Sequence, residues 1–213
     1  MKQVLVYADS LSWGIIPDTR KRFESDQRWP GKLEQLLCQN GSQVRVIEDC
    51  LNGRRTVLND PFKPGRNGAQ GLQQTIEINS PLELVIIMLG NNDFQSPHTF
   101  TATEAAQGVA TLVQTIRSAP IEPGMPVPPV LLICPPPIIE PKGSIAAKFK
   151  GAEEKCKGFD LALQKIAADT QCNFFDAGTV ISASKIDGIH LDLDQHQQLA
   201  LSILPLVQGI LSR

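Results

Sequence analysis

The sequence has no excess of basic residues, since Lys and Arg number 20 against 22 Asp and Glu. Nucleic acids and anionic lipid surfaces are bound mainly through clustered positive charge, so we expect neither as a partner. No apolar run approaches the roughly 20 residues that a membrane-spanning helix needs. The N-terminal apolar stretch is too short for the core of a signal peptide, which predicts a cytoplasmic protein.

Metal-binding and redox motifs are also missing. The five cysteines include no C-x-x-C pair, and the three histidines form no H-E-x-x-H motif. Dedicated zinc sites and thioredoxin-type sites use those spacings. Neither G-x-G-x-x-G nor a Walker A pattern occurs, although these are the usual phosphate-binding loops. We therefore expect free, mostly buried thiols and a protein that works without a metal or a cofactor.

The chain does contain short apolar runs that alternate with segments of helical periodicity. The predicted strands cover Val4–Tyr7, Val44–Ile47, Leu84–Leu89, Val130–Ile133 and Asn173–Phe175. The main runs are continuously apolar, which is typical of parallel strands buried on both faces. This order predicts one domain over residues 1–213, an α/β fold with a five-stranded parallel sheet in a three-layer α/β/α sandwich.

Two predicted helices carry recognisable end signals. Thr101 with Glu104 has the spacing of a capping box, which predicts that a helix begins there. Asp194 is predicted to cap a terminal helix that runs on from Gln195. Pro205 is expected to end or kink that helix, because proline removes a backbone donor and clashes with the preceding turn.

Three groups of polar residues fall at the ends of predicted strands: Asp9-Ser10, Asn52-Gly53 and Asn91-Asn92-Asp93. A fourth polar group, at residues 187–190, follows the last strand after a loop. In open parallel sheets, ligands bind at the carboxyl ends of the strands, near the point where the strand order reverses. These clusters are therefore predicted to converge on one site.

Ser10 is a candidate nucleophile, although a serine at such a turn is by itself more often a helix cap. Asp187 and His190 make catalysis more plausible, because their spacing lets a turn bring the carboxylate to one imidazole nitrogen. His98 and His196 are the competing bases. We expect both to be structural or on the surface.

Acyl transfer also needs donors for the oxyanion of a tetrahedral intermediate. The side-chain amide of Asn92 and the backbone N–H groups of Gly53 and Ser10 could supply them. The alternatives are an ordinary turn residue for Asn92 and a turn position with positive φ for Gly53.

Four blocks along the chain resemble, in order, those of the GDSL-type SGNH hydrolases. They are Ala8–Gly14, Leu51–Gly53, Gly90–Asp93 and Asp187–His190. The resemblance implies a flavodoxin-like SGNH hydrolase fold, a triad of Ser10, Asp187 and His190, and an oxyanion hole of Ser10, Gly53 and Asn92. One residue departs from the family pattern, since Ala8 stands where the first motif begins with glycine.

Further stretches are similar to the bacterial arylesterase/acyltransferase branch of that family. They are residues 26–30, 84–90, 174–178 and 190–192. This resemblance implies hydrolysis of short-chain acyl or aryl esters, with acyl transfer to other acceptors in some members. The substrate would be a small-molecule ester. Homo-oligomers occur in the branch, so the resemblance favours one here.

Asp9 and Trp13 flank the predicted nucleophile, and we expect them to contribute to substrate binding. Trp13 could equally be a packing residue. Two other functions remain open from the residues: an esterase that deacetylates carbohydrates, and a non-catalytic, flavodoxin-like binding domain. A conventional α/β-hydrolase is disfavoured, because Ser10 lacks the flanking glycines of G-x-S-x-G.

Overall fold

Five strands form one parallel sheet in the order β2-β1-β3-β4-β5. The computed structural model describes residues 1–41 and 43–212. Its strands are β1 (Lys2–Ala8), β2 (Val44–Cys50), β3 (Leu84–Met88), β4 (Val130–Cys134) and β5 (Asn173–Asp176). The predicted α/β fold with a five-stranded parallel sheet is therefore confirmed, and β3 lies at the centre of the sheet.

Burial across the sheet follows strand position. Every residue of β3 and β4 is buried, whereas most residues of β2 and all of β5 are only half-buried at the two edges. Fully burying one aliphatic side chain stabilises the fold by roughly 1.5–3 kcal/mol. The central strands thus form a rigid base for the loops that follow them.

The helices cover both faces of the sheet. They are α1 (Ser10–Trp13), α2 (Trp29–Gln39), α3 (Leu72–Asn79), α4 (Ala102–Arg117), α5 (Ala152–Lys155), α6 (Phe159–Asp169) and α7 (Leu193–Leu211). Since parallel crossovers are right-handed, the connection from β1 to β2 places α2 on the face opposite α3, α4 and α6. α7 packs against α2, and α4 packs against α3 and α6. Among the described residues, no helix combines the length and apolar character that crossing a membrane requires.

The capping box at the start of α4 is confirmed: the Thr101 hydroxyl accepts from the Glu104 backbone N–H, and the Glu104 carboxylate accepts from that of Thr101. The predicted start of the last helix is wrong by two residues. α7 begins at Leu193, and its cap position is Asp192 rather than Asp194. The Asp192 carboxylate instead accepts from the Ser184 hydroxyl at 2.9 Å, a tertiary contact that local spacing does not reveal.

Pro205 does not end α7, which continues to Leu211. The proline lies on the exposed side of the helix, while Ile203, Val207 and Ile210 on the other side are buried. Proline in a helix interior costs about 3 kcal/mol. Burial of the apolar face outweighs that cost, because tertiary packing supplies most of a helix's stability in a protein.

The strand order reverses at β1, which has β2 on one side and β3 on the other. Connections from these strands leave in opposite directions, so a crevice opens at their carboxyl ends. Ser10 follows β1 and Asn92 follows β3, which places both at this crevice.

Candidate active site

Ser10 is the first residue of the short helix α1, directly after β1. Asp9 has the extended backbone of an N-cap, and its Oδ1 accepts a hydrogen bond from the Leu11 N–H at 3.0 Å. The serine is only 6% exposed. A buried strand on one side and a capped helical turn on the other therefore hold the Ser10 hydroxyl in one place.

Asp187, His190 and Ser10 form a continuous series of close contacts. Asp187 Oδ2 lies 2.7 Å from His190 Nδ1, and His190 Nε2 lies 3.1 Å from Ser10 Oγ. The other carboxylate oxygen, Oδ1, accepts from the backbone N–H groups of Ile189 and His190 at 2.9 Å each. The D-x-x-H spacing thus makes a turn in which one carboxylate orients both the backbone and the imidazole.

The environment of Asp187 favours its charged form. Burial alone would raise the pKa of this carboxyl. The hydrogen bond and charge interaction with His190, together with the backbone N–H groups of the turn, outweigh this effect and lower the pKa to about 2. The Asp18 N–H also donates to Oδ2, at 3.1 Å. At any pH near neutrality, Asp187 is an anion beside the imidazole.

The three predicted oxyanion donors belong to residues that lie close to the Ser10 hydroxyl. Ser10, Gly53 and Asn92 line the same cavity. Within the described residues, the backbone N–H groups of Ser10 and Gly53 donate to no protein acceptor. Gly53 has φ +82°, a conformation that an L-residue rarely adopts. The residues of the predicted oxyanion donors therefore line one cavity, and two of the donors have no protein acceptor.

The Asn92 amide is held at both ends. Its Nδ2 donates to Asp9 Oδ2 at 2.7 Å, and its Oδ1 accepts from Gln95 Nε2 at 2.6 Å. Arg55 Nη2 in turn donates to Gln95 Oε1, and Arg55 is ion-paired with Asp60 at 2.8 Å. One hydrogen of Asn92 Nδ2 remains for a substrate oxygen.

Sequence reasoning missed Gln95 and Arg55. Gln95 directly follows the 3₁₀ helix of Asn91–Phe94, whose geometry brings positions three apart together. The spacing of Asn92 and Gln95 could have suggested their contact. Nothing local points to Arg55, because it reaches Gln95 across 40 residues.

Replacing Gln95 with methionine should lower kcat about tenfold with little change in KM. The Asn92 amide, a predicted oxyanion donor, would then be held only by Asp9, so part of the roughly 10²–10³-fold stabilisation that such a donor gives would be lost. Steady-state kinetics with a neutral ester measure the split between kcat and KM. Gln107→Met, on the exposed side of α4, is the matched control. An unchanged kcat in Gln95→Met would show that Asn92 does not depend on Gln95.

Asp93 fixes the loop that follows Gly53. Its carboxylate accepts from the Thr56 backbone N–H at 3.1 Å and from the Thr56 hydroxyl at 2.6 Å. Asp93 is fully buried, and burial raises its pKa to about 7 although the Thr56 hydrogen bonds and the charge of Arg55 oppose the shift.

The raised pKa of Asp93 predicts a pH-dependent stability. Its folded pKa of about 7 lies above the ordinary value of 3.8 for an aspartic acid, so the folded state holds the proton more tightly than the unfolded state. Its contribution to the unfolding free energy therefore falls as the pH rises from about 4 to about 7, and is constant above that. The free energy of unfolding, measured with urea, should fall between pH 5 and pH 8 by on the order of 2 kcal/mol more in the wild type than in Asp93→Asn.

Asp26→Asn, which removes an exposed carboxylate, should keep the wild-type pH dependence. Parallel pH dependences for the wild type and Asp93→Asn would contradict a raised pKa at Asp93. Comparing slopes rather than absolute stabilities separates the titration from the hydrogen bonds that the substitution weakens.

The cavity above Ser10 has a volume of about 170 Å³. Its apolar wall consists of Ile15, Ile145 and Phe149. Neither Asp9 nor Trp13 is among the described residues that line it. Asp9 lies buried behind Asn92, and Trp13 packs at the edge of the core with the Arg22 guanidinium 4.7 Å above its ring. Their expected roles in substrate binding are therefore not direct contacts with this cavity.

The competing histidines lie outside the cavity. His196 is buried, and its Nδ1 accepts from the Trp29 N–H at 3.3 Å. Burial lowers the pKa of His196 to about 4, which makes it a neutral structural group. His98 is half-buried beyond the 3₁₀ helix. Among the described residues, no group of three or more His, Cys, Asp or Glu side chains is placed to hold a metal ion.

Ala8 fits the position where the family motif has glycine. It is the last residue of β1, fully buried, and its backbone is not in the positive-φ region. The turn that needs a glycine comes later, at Gly90, where φ is +123° and an added Cβ would lie 2.3 Å from Phe159 Cζ. The methyl group of Ala8 therefore requires no strained backbone.

Comparisons with known proteins identify one family and several similar solved structures. A profile of the GDSL-like lipase/acylhydrolase family matches residues 9–198. The native aryl esterase of M. smegmatis superposes with a TM-score of 0.92 at 34% identity, over 99% of this chain and 100% of that one. A carbohydrate acetylesterase family member from Sinorhizobium meliloti gives 0.93 at 33% identity, over the whole of both chains. Among proteins of curated function, no sequence match is significant.

The profile spans most of the chain, and the solved structures match it from end to end at more than 30% identity. The recognisable motif residues lie at the carboxyl edge of the sheet, around the crevice at β1 and β3. The chain therefore belongs to the GDSL-like lipase/acylhydrolase family, and it is a serine esterase of the SGNH type.

Proposed function

We propose that this esterase uses Ser10 as nucleophile, His190 as general base and Asp187 as the residue that orients His190. The observation that carries the proposal is the unbroken contact series from Asp187 through His190 to Ser10, at 2.7 Å and 3.1 Å. A serine hydroxyl is a weak nucleophile unless a base in reach takes its proton. Asp187 provides the anion that stabilises the imidazolium which forms.

The proposed reaction has two halves. His190 Nε2 takes the Ser10 proton while Oγ attacks the ester carbonyl, and the tetrahedral intermediate collapses as His190 protonates the departing alcohol. Water then gives a proton to His190 and attacks the acyl carbon. The second tetrahedral intermediate collapses, the bond from the acyl carbon to Ser10 Oγ breaks, and His190 returns the proton to Oγ as the carboxylic acid leaves. In both halves the oxyanion would accept from Ser10 N–H, Gly53 N–H and Asn92 Nδ2.

The acyl group is proposed to be short. A cavity of about 170 Å³ is smaller than the roughly 300–1,000 Å³ of sites that enclose drug-sized ligands. The neighbours named aryl esterase and carbohydrate acetylesterase support short acyl or aryl esters. Acyl transfer would follow when an alcohol, rather than water, reaches the acyl-enzyme first.

A second candidate is the deacetylation of carbohydrates. The comparison with a carbohydrate acetylesterase family member favours it. So does the polar side of the cavity, where Thr19, Asn52 and Ser144 offer groups that could bind sugar hydroxyls. A non-catalytic binding domain would instead show no turnover of any ester.

The proposal also covers the organisation and setting of the protein. We propose that residues 1–213 act as one domain on small-molecule esters. The protein would work in the cytoplasm as a homo-oligomer, without a nucleic-acid partner. The five free thiols support a reducing compartment, and the balanced charge supports the absence of a nucleic-acid partner. Asp9 would act on substrate indirectly, by orienting Asn92.

A p-nitrophenyl ester series from acetate to decanoate tests the proposal, together with an acetylated sugar whose released acetate is measured. We expect the acetate and butyrate esters to give the highest kcat/KM, with a steep fall for longer chains because the cavity is small. Absence of turnover for every ester by folded protein would reject it. Faster release from the acetylated sugar than from aryl esters would favour the second candidate.

A further inference from the structure

Three basic side chains, Arg20, Lys63 and Lys148, line the cavity above Ser10. A fourth, Arg66, packs beside the oxyanion glycine. A methyl group built on Gly53 would lie 3.9 Å from Lys148 Nζ and 3.9 Å from Arg66 Cδ. The whole chain has a formal net charge of −2, so this concentration of positive charge is local.

Among the described residues, none of the three lining cations forms an ion pair. Within the described residues, no carboxylate oxygen lies within 4.0 Å of the charged nitrogens of Arg20, Lys63 or Lys148. The two acids that line the cavity have other partners. Asp18 Oδ1 accepts from the Ser144 N–H and hydroxyl at 3.0 Å each, and Asp187 holds His190.

The cations also act on each other. Partial burial lowers the pKa of Lys148, and the charges of Arg55, Lys63 and Arg20 lower it further. Partial burial likewise lowers the pKa of Lys63, together with the charges of Arg66 and Arg20. Asp60 offsets part of this repulsion in both cases. An anion placed among these groups would relieve the repulsion that remains.

The two lysines stand between two cavities. Lys63 and Lys148 line the cavity above Ser10 and also an adjoining cavity of about 440 Å³, whose apolar lining includes Pro61, Phe62 and Pro97. A substrate whose ester carbonyl lies at Ser10 can therefore extend past both lysines. Its distal part would meet positive charge and then apolar surface.

We propose that the esters this enzyme prefers carry a carboxylate, which binds at Lys63 and Lys148 with Arg20 nearby, beside the reacting carbonyl. The inference rests on the proposed action of Ser10 on esters and names the substrate class. The carboxylate can belong to the alcohol part or to the acyl part of the ester. Both give the same chemistry at the lysines, and the substrates below distinguish them.

Two matched pairs of esters test the inference. The first pair places the charge on the alcohol part: the acetate ester of 4-hydroxyphenylacetate against that of its neutral primary amide. The second places it on the acyl part: the phenyl monoester of glutaric acid against phenyl pentanoate, each corrected for spontaneous hydrolysis. We expect kcat/KM to be about tenfold higher for the charged member of one pair, the size of one hydrogen bond to a charged group, with most of the effect in KM.

Lys148→Met and Lys63→Met should each reduce that ratio of charged to neutral kcat/KM to about threefold or less. Using the ratio removes any general effect of the substitution on turnover. Lys150→Met, an exposed lysine that lines neither cavity, should leave both rates unchanged. Raising the salt concentration to about 1 M should also reduce the ratio in the wild type, because the Debye length falls to about 3 Å.

The outcomes separate this inference from the proposed function. Turnover of the neutral esters without a charge preference in either pair overturns the inference and leaves the esterase mechanism intact. A preference that survives both lysine substitutions also overturns it. Absence of turnover for all four esters rejects the proposed function, and the inference fails with it.

Discussion

Replacing Ser10 with alanine should lower kcat for p-nitrophenyl acetate by about 10⁴-fold or more. Without Oγ there is no covalent acyl-enzyme, and His190 has no proton to take. Only the oxyanion donors and substrate binding would remain. His190→Ala should give a loss of similar size, because the two residues act as a unit and their separate effects do not add.

The matched control for Ser10 is Ser182→Ala, since Ser182 is exposed and lies in the loop before the D-x-x-H turn. That variant should keep wild-type turnover. A fluorophosphonate label, read by mass spectrometry of the peptides, should modify the wild type at Ser10 and leave Ser10→Ala unlabelled. Near-normal turnover by purified Ser10→Ala would disprove the assignment of the nucleophile.

Replacing Asp187 with asparagine should lower kcat by about 10⁴-fold, even though the side chain keeps its shape. In the proposed mechanism, Oδ2 accepts from His190 Nδ1, 2.7 Å away, which leaves Nε2 free to accept the Ser10 proton. An asparagine can present its NH₂ group to Nδ1 instead, which stabilises the wrong tautomer. It also removes the negative charge that stabilises the imidazolium.

The pKa of Asp187, about 2, implies that the difference between the wild type and Asp187→Asn persists across the neutral range. Because the carboxyl is ionised above about pH 4, kcat ratios measured at pH 6, 7 and 8 should agree within a few-fold. Asp194→Asn, an exposed aspartate nearby in sequence, is the control and should be unaffected. If Asp187→Asn retains more than a tenth of the wild-type kcat, Asp187 is not the orienting acid.

The strands were predictable because their signal is local. Residues of β3 and β4 are apolar at every position, and only a strand covered on both faces buries such a run. The end of α7 was not predictable in the same way. From local sequence preferences, Pro205 is expected to end or kink the helix. Burial of Ile203 and Val207 against the rest of the fold outweighs that preference, and the helix continues to Leu211.

The grouping of the site residues was also predictable in outline. Ser10 and Asn92 follow neighbouring parallel strands, and parallel strands bring their carboxyl ends to one edge of the sheet. The Asp187–His190 turn follows from the spacing of its two residues. Side-chain neighbours from distant segments were not predictable, since no spacing links Arg55 with Gln95 or Asp93 with Thr56.

The sequence alone thus determined the sheet and its five strands, together with the candidate nucleophile, base and oxyanion donors. Each of these depends either on residues close together in the chain or on the ends of parallel strands. Only the tertiary structure decided which groups hold those residues in place and what surrounds them. Gln95 donates to the Asn92 amide, Trp13 does not line the cavity, and Lys63 and Lys148 line the cavity above Ser10. Such contacts depend on how loops from separate crossovers pack together, and the range of local sequence preferences is too short to encode them.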